Sequence, residues 1–329
     1  MHLGEVIEQR VAVRTLQRAA AAGTVAHAYL FHGDRGVGKK TTAMSFAHQI
    51  LCRNRTGCGS CPECLKLSRG NHPGLRALEP EDGTIKIEQI RSVQSQVQYA
   101  QEHHLIWIID DAHRMTPEAA NSFLKLLEEP PAYIVFILVT DHLEQVLPTI
   151  RSRCQVIAFT RLSDAAVAEA LRAKAANGGS TQDDGQKIEL VAKMAQGSIG
   201  RALELWESPL VDRRRWVLEQ LINIPDMDLY EVLGLSHRWE EDRSLVALDL
   251  TLILQWYRDL WCLKEGLERQ VVNMDYLHEL SESCKKYPKS SLEQITKTII
   301  DLHGQLERNA RIRFMMANLL VQIRKGVFA

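Results

Sequence analysis

The sequence predicts an α/β domain of the P-loop type with a parallel sheet, followed by a region built of helices. About the first 160 residues alternate short apolar runs rich in β-branched side chains with amphipathic segments, a pattern typical of strands joined by crossover helices. A glycine-rich loop, Gly33–Lys39, separates the first apolar run from a helical pattern. After Leu162 strand signals almost vanish and helical periodicity dominates.

The elements of the first region follow from their periodicity and their end signals. The predicted strands are Ala28–His32, Gly74–Glu79, Leu105–Asp110, Ile134–Thr140 and Gln155–Phe159. The predicted helices are Glu5–Ala22, Lys39–Leu51, Ile87–Gln98, Pro117–Glu128 and Leu143–Ile150. These helices provide the crossovers that parallel strands need.

The rest of the chain is predicted to be helical. Two short amphipathic helices, Ser163–Lys174 and Gln186–Met194, precede a break at Gly197-Ser198-Ile199-Gly200. From Leu210 onward every segment has helical character. Apolar spacing runs through Leu245–Leu263 and Leu292–Gly326, with the polar stretch Ser281–Ser290 between them, and the Gly-, Ser- and Asp-rich Asn177–Gly185 is predicted to be a flexible loop.

The composition is that of a globular protein with about two or three domains. The chain has 329 residues, and its 40 Lys and Arg balance 41 Asp and Glu, so affinity for nucleic acid requires a local patch or a partner. The longest strong apolar run, IVFILV at 134–139, is too short to span a bilayer. The N-terminal segment lacks a basic region followed by an apolar one, so we expect a cytoplasmic protein without membrane contact.

The glycine-rich loop has the context of a phosphate-binding loop, between an apolar strand and a helix. Its backbone amides would cradle phosphates, with candidate nucleotide contacts at Gly33, Gly36, Gly38, Lys39, Lys40 and Thr41. One position departs from the pattern, because Lys40 replaces the hydroxyl residue that holds Mg²⁺. Thr41 lies about 100° further round the helix, so it should not reach the metal. The alternative is a glycine-rich turn that has lost its ligand.

The predicted strand LIWII ends in two carboxylates, Asp110 and Asp111. In P-loop proteins the first acid holds Mg²⁺ and the second orients the attacking water. Asp110 suits the first role. Asp111 is one methylene shorter than the usual glutamate, and ordinary solvated acids at a strand-to-loop turn are the alternative.

Four cysteines, Cys52, Cys58, Cys61 and Cys64, fall within thirteen positions. Four thiolates at this spacing can close a tetrahedral shell, which favours a structural zinc ion. An iron–sulfur cluster would prefer a cysteine where Ser68 stands, and free or redox-active thiols are the third possibility.

With these motifs in place, the sequence resembles the bacterial clamp-loader branch of the AAA+ ATPases, which serves DNA polymerase III. Four further segments carry the resemblance, so that it covers roughly residues 26–205. They are His27-Ala28-Tyr29-Leu30-Phe31, the run from Asn121 to Pro131 (NSFLKLLEEPP), Thr149-Ile150-Arg151-Ser152-Arg153-Cys154, and Gly197-Ser198-Ile199-Gly200-Arg201-Ala202-Leu203.

The resemblance implies three parts: an AAA+ P-loop domain at 1–161 with a zinc module at 52–64, a three-helix lid at 162–207, and an all-helical collar for oligomerisation at 208–329. It gives Arg153 the role of an arginine finger acting in trans on a neighbour's ATP. It places the first sensor residue at Thr140. In the lid, Gly200 occupies the position of an arginine found in ATP-hydrolysing relatives, with Arg201 displaced by one residue.

The departures from the family pattern cluster in the chain's own site, whereas the trans arginine is retained. This asymmetry favours a subunit that helps open the sliding clamp and load it on primed DNA without polymerase chemistry of its own. Its own ATPase activity is then weak or absent, ATP or ADP is a possible ligand, and Mg²⁺ is doubtful. The implied partners are the gamma/tau and delta clamp-loader subunits.

Three alternatives remain open at this stage. A gamma/tau-like subunit that itself hydrolyses ATP belongs to the same family. A stand-alone P-loop kinase or transferase would need a basic lid and acceptor-binding residues, which the helical final third does not suggest. A zinc-ribbon nucleic-acid-binding protein is disfavoured by a single cysteine cluster in a neutral chain.

Overall fold

The computed structural model describes residues 3–99, 104–178, 184–239, 242–306 and 311–326. They fall into two compact units, one within 1–180 and 195–203, the other within 181–194 and 204–329. The predicted flexible loop Asn177–Gly185 is described only at its two ends, where helices end and begin, and its centre lies outside the described residues.

The first unit is built on a five-stranded parallel sheet, as predicted. The strands are β1 (Ala28–His32), β2 (Leu75–Leu78), β3 (Leu105–Ile109), β4 (Ile134–Thr140) and β5 (Gln155–Ala158). Their order across the sheet is β2-β3-β4-β1-β5. The register pairs His32 with Thr140 and Ile109 with Leu138, so the carboxyl ends of the three central strands lie together at one edge.

The helices of the unit are α1 (Arg10–Ala22), α2 (Lys39–Leu51), α3 (Pro62–Ser68), α4 (Ile87–Tyr99), α5 (Pro117–Glu128), α6 (Pro148–Arg151) and α7 (Asp164–Gly178). Helices α2 and α5 pack on opposite faces of this sheet. On one face the ring of Tyr29 packs edge-on against Phe46 of α2 at 5.2 Å, and on the other Phe136 packs against Phe123 of α5 at 5.0 Å. All four rings are completely buried, so the strands carry apolar side chains on both faces.

The first predicted helix begins later than Glu5. The structure has a 3₁₀ turn at Leu3–Glu5, and α1 begins only at Arg10. Gln9 is buried, and its side-chain amide donates to the carbonyl of Thr160 at 2.7 Å and accepts from the same residue's N–H at 3.1 Å. The carboxylate of Glu8 accepts the N–H and hydroxyl of Ser163. These long-range bonds compete with helix formation in this segment.

The predicted helix Leu143–Ile150 is also wrong as a single element. The chain forms a 3₁₀ turn at Leu143–Gln145 and then α6. Pro148 explains the division, because it has no N–H to donate inside a helix but fits the first helical position.

The second unit is helical throughout its described residues. Its helices are α8 (Asp184–Met194), the end of α9 (Ile199–Glu207), α10 (Leu210–Asn223), α11 (Leu229–Ser236), α12 (Arg243–Lys264), α13 (Leu277–Lys286), α14 (Lys289–Leu306) and α15 (Ile312–Lys325). The long α12 is the centre of the unit, since α10, α13 and α14 all pack against it. Trp256 and Tyr257 of α12 are buried in this core.

Most of the polar stretch Ser281–Ser290 is helical, in agreement with the helical character predicted from Leu210 onward, and α13 buries Leu280 and Ser283 on one face. One boundary in this unit needs correction. The predicted apolar stretch Leu292–Gly326 is divided between α14 and α15. Among the described residues, no helix is long and apolar enough to cross a membrane.

A buried carboxylate fixes the end of α12 to the chain that follows it. Asp259 is completely buried and accepts from the backbone N–H of Val272 at 3.1 Å, from that of Asn273 at 2.8 Å, and from the side chains of Asn273 and Gln255. These donors replace the water that the carboxylate loses on folding.

We expect Asp259→Ala to lower the free energy of unfolding by about 3 kcal/mol, because it leaves buried donors without an acceptor. Urea denaturation followed by circular dichroism measures the change. Asp301 is exposed, and Asp301→Ala is the matched control, which should change the free energy of unfolding by less than about 0.5 kcal/mol. Equal stability of the two variants would contradict the structural role of Asp259.

Candidate nucleotide cleft and metal centre

The cleft lies at the carboxyl edge of the sheet, where the loops after β1, β3 and β4 meet. Its volume is about 760 Å³, and it contains the P-loop, Asp110, Asp111, Asp141 and Gly200. Open α/β sheets bind ligands at this edge because the helix N-termini and the strand-end side chains converge there. The sheet therefore brings together the predicted P-loop and the predicted acids.

Lys39 is held inside the P-loop. Its ammonium donates to the carbonyls of Gly33 at 2.6 Å and Asp34 at 2.7 Å, and the residue is only 7% exposed. Burial lowers the pKa of Lys39 from its usual value, against the opposing influence of Asp141 and Asp110. The buried Thr42 donates its hydroxyl to the carbonyl of Gly38, while Thr41 lines the cleft.

The segment around Gly200 lies directly against the P-loop. The N–H of Gly200 donates to the carbonyl of Gly36 at 3.1 Å, and the Ser198 hydroxyl donates to the carbonyl of Arg35 at 2.9 Å. A Cβ on Gly200 would lie 3.0 Å from the Gly36 Cα, a tight contact that the P-loop backbone would have to accommodate by a small shift. Glycine at position 200 avoids this contact, and Arg201 lies one residue beyond it.

Lys40 is bound to the carboxylate that would hold Mg²⁺. Its ammonium lies 2.9 Å from Asp110 Oδ2 and also contacts Glu79. Partial burial acts to lower the pKa of Lys40, but the hydrogen bonds to Glu79 and Asp110 outweigh it and raise the pKa. A divalent ion needs oxygen ligands, and here a cationic side chain replaces one ligand and is paired with another. These residues do not fit a Mg²⁺ ion held in the usual way.

Asp111 lines the cleft and is paired with an arginine. It has a left-handed backbone conformation, with φ of 46°, and its carboxylate lies 3.4 Å from the Arg114 Nε. One oxygen of Asp111 also lies within 4.8 Å of ligand atoms of His113 and Asp141. Sequence reasoning missed His113 and Asp141. His113 follows Asp111 by two residues, whereas Asp141 joins them through the pairing of β3 with β4.

Thr140 is completely buried, and its hydroxyl is engaged within the protein. The Thr140 Oγ1 lies 3.1 Å from the His113 Nδ1 and accepts the N–H of His142 at 3.0 Å. Burial lowers the pKa of His113, although Asp111 and Asp141 act to raise it. The neighbouring Val139 and Asp141 line the cleft on either side of Thr140.

Arg153 lies at the other edge of the sheet. Arg153 lies just before β5, and the first residues of β5 pair with the start of β1. The P-loop follows the end of β1. The length of β1, roughly 15 Å, therefore lies between Arg153 and the P-loop. The Arg153 side chain is 37% exposed, lies 3.0 Å from Glu128, and donates to the carbonyl of Thr149. The structure thus separates Arg153 from the chain's own cleft.

The four predicted cysteines form a cluster that could hold a metal ion. Their sulfur atoms all lie within 4.8 Å of one another, with 3.6 Å between Cys52 and Cys58 and 4.0 Å between Cys52 and Cys61. A tetrahedral zinc–thiolate site requires sulfur separations of about 3.8 Å. The cluster fits such a site.

Backbone N–H groups support the thiolates. Burial acts to raise the pKa of Cys52, but N–H groups including that of Cys58 outweigh it and lower the pKa to about 5. Burial and the neighbouring sulfurs of Cys61 and Cys52 raise the pKa of Cys64 to about 12. The N–H of Cys64 also donates to the sulfur of Cys61, the N-cap of α3. A bound cation would allow all four thiolates to coexist.

The parallel sheet, the P-loop and the strand-end acid define an AAA+ P-loop domain, and a helical C-terminal region follows it. Residues 8–163 match the family model described as DNA polymerase III, delta subunit, and residues 208–325 match the one described as DNA polymerase III, delta subunit, C terminal. The chain belongs to the clamp-loader family of DNA polymerase III subunits.

Individual relatives agree with this family. The chain is 26% identical over 333 residues to DNA polymerase III subunit delta' of Bacillus subtilis (strain 168), covering 95% of each protein. It is 28% identical to DNA polymerase III subunit gamma of Buchnera aphidicola subsp. Schizaphis graminum, over 87% of this chain and 78% of that protein. The fold is similar to a DNA polymerase III, gamma subunit-related protein from Thermotoga maritima, with a TM-score of 0.52, 17% identity, and coverage of 95% of this chain and 99% of that one.

Proposed function

We propose that the chain is a delta-prime-type clamp-loader subunit, which helps to open the sliding clamp and place it on primed DNA. It does so within a hetero-oligomer with gamma/tau and delta subunits, in which Arg153 acts in trans on a neighbour's ATP. The observation that carries this proposal is the position of Arg153 at the sheet edge opposite the chain's own cleft. A guanidinium there is too far from the chain's own cleft to contact a nucleotide in it, which supports a role toward a phosphate that another subunit presents.

The geometry of Arg153 suits an arginine finger. Its only carboxylate partner among the described ion pairs is Glu128, in an exposed pair that is worth under about 1 kcal/mol. Exchanging this carboxylate for a phosphate therefore costs little free energy. The planar guanidinium can donate two parallel hydrogen bonds to phosphate oxygens and stabilise the charge that develops during transfer.

The chain's own cleft supports the same assignment over a gamma/tau-like ATPase. Lys40 pairs with Asp110, Asp111 pairs with Arg114, and a glycine stands at the position of the lid arginine. Each of these features removes a group that hydrolysis in cis would use. The AAA+ fold still suggests nucleotide binding, so the cleft is proposed to hold ATP or ADP with little turnover.

The expected metal of the cysteine cluster is zinc, in a structural role. Four thiolates fill a tetrahedral shell and leave no open position for a substrate or a catalytic water. The three-part division into P-loop domain, lid at 162–207 and collar at 208–329 is likewise part of the proposal, with the collar as the surface for oligomerisation.

For the metal centre, we expect one zinc ion per chain by elemental analysis of protein purified under reducing conditions. Cys61→Ser should release the ion and loosen residues 52–64 in hydrogen exchange, while the parallel sheet stays folded. Cys284→Ser, which changes a cysteine outside the cluster, should retain the metal. Iron in the wild-type protein, or no metal at all, would contradict this assignment.

For the arginine finger, Arg153→Ala should fold and join the reconstituted complex, yet lower ATP hydrolysis at the neighbouring site on the order of 10³-fold. Arg153→Lys should restore little of this hydrolysis, because an ammonium lacks the planar, parallel N–H donors of a guanidinium. Pre-steady-state rates are required, because other ATP sites in the complex would mask the loss. The exposed Arg76→Ala is the control. Wild-type rates at every site in the Arg153→Ala complex would exclude the trans mechanism.

For the chain's own cleft, the isolated protein should hydrolyse ATP far more slowly than about one turnover per second, at the low end of typical enzymes. It lacks both a divalent-ion ligand set and a partner's arginine. A coupled phosphate-release assay measures the rate. A turnover near one per second would instead favour the gamma/tau-like alternative.

A further inference from the structure

The ammonium of Lys40 occupies the place of a divalent ion. In a P-loop site the residue after the P-loop lysine and the first strand-end acid hold Mg²⁺ between them. Here the first of these is Lys40, and its Nζ lies 2.9 Å from Asp110 Oδ2, with Glu79 as a second carboxylate partner. The positive charge is therefore supplied by the chain itself, on the same carboxylate.

The charges of the cleft show why such a cation matters. Glu79, Asp110, Asp111 and Asp141 all line it, and together they would repel the phosphates of a nucleotide. Asp111 is neutralised in part by Arg114 at 3.4 Å. Lys40 is placed between Glu79 and Asp110, and its raised pKa keeps it cationic at neutral pH. Without Lys40, a soluble cation would be needed to balance this pair.

Lys40 also retains the capacity to bind a phosphate. An ammonium group has three N–H donors, of which Glu79 and Asp110 use two, and Lys40 lines the cleft together with Lys39 and the P-loop amides. The third donor is thus available to a phosphate oxygen. An ammonium cannot coordinate several oxygens at fixed short distances as Mg²⁺ does, so it can support binding without organising phosphoryl transfer.

We propose that this cleft binds the phosphates of a nucleoside di- or triphosphate without a divalent cation, with the Lys40 ammonium supplying the charge that Mg²⁺ supplies elsewhere. This inference rests on the proposal that the chain's own cleft holds ATP or ADP, and it is independent of whether Arg153 acts in trans.

The test is calorimetric titration of the full-length chain with ADP, once in excess EDTA and once in saturating Mg²⁺. Wild-type affinity should agree between the two conditions within about twofold. Lys40→Thr restores the hydroxyl and frees Asp110, so its ADP affinity should become dependent on Mg²⁺ by about tenfold or more. The contrast between the two proteins, rather than the absolute affinity, is the diagnostic result.

Two further variants keep the experiment decisive. Lys40→Met retains the aliphatic stem without charge or metal ligand, so it should weaken ADP binding by about tenfold in both conditions. Lys86→Thr changes a half-exposed lysine that is also paired with an acid, Asp82, but lies outside the cleft, and it should behave as the wild type. Circular dichroism confirms that each variant is folded.

The proposal is overturned if wild-type ADP binding is lost in EDTA, or if the wild type binds no ADP in either condition. Both outcomes would leave the clamp-loader assignment untouched, because that assignment is tested by complex assembly and by the partner's hydrolysis. The proposal is also overturned if the ADP affinity of both the wild type and Lys40→Thr is independent of Mg²⁺. A group other than Lys40 would then supply the charge.

Discussion

The parallel direction of all five strands is the constraint on which the functional arrangement depends. In a parallel sheet every strand's carboxyl end lies at the same edge, so the loops after β1, β3 and β4 must meet there. Every segment that enters a strand must lie at the other edge. The P-loop and the acids belong to the first group and Arg153 belongs to the second. A single polarity thus gives the domain one edge that carries the P-loop and the acids and an opposite edge that carries Arg153.

Within the cleft, polar groups that would otherwise act on a nucleotide are bound to one another. Lys40 pairs with Asp110, the Thr140 hydroxyl is engaged by His113 and His142, and Gly200 lies on Gly36 through a backbone hydrogen bond. An arginine side chain at position 200 could not replace that glycine without moving the P-loop. These polar groups of the cleft are thus paired within the chain itself.

The sequence predicted the central strands well because β1, β3 and β4 are apolar runs between clear end signals. The residues 134–140 and 28–32 were predicted to the exact ends for this reason. The cysteine cluster could also be predicted from the sequence, because its four cysteines are close together in the chain. The start of α1 could not be predicted, since the side chain of Gln9 forms a hydrogen bond with Thr160, 151 residues away. Asp141 was missed on the same ground, since strand pairing brings it to Asp111 and His113. The tight contact at Gly200 could be seen only in the folded backbone.

The cysteine cluster is linked to the cleft through two elements. Helix α2 spans Lys39–Leu51 with Cys52 as its C-cap, so its two ends carry the P-loop and one of the four clustered cysteines. On the returning path, the buried His72 accepts the N–H of Gly74 at Nδ1 and lies 2.9 Å from Glu63 of α3 at Nε2, which ties the cluster to the start of β2. β2 then leads to Glu79, which contacts Lys40 at the beginning of α2. The cysteine segment at 52–64 is therefore connected to the cleft at both of its ends. A metal ion that held the four sulfur atoms would also hold Glu79 in place. Glu79 would then share the charge of Lys40 with Asp110.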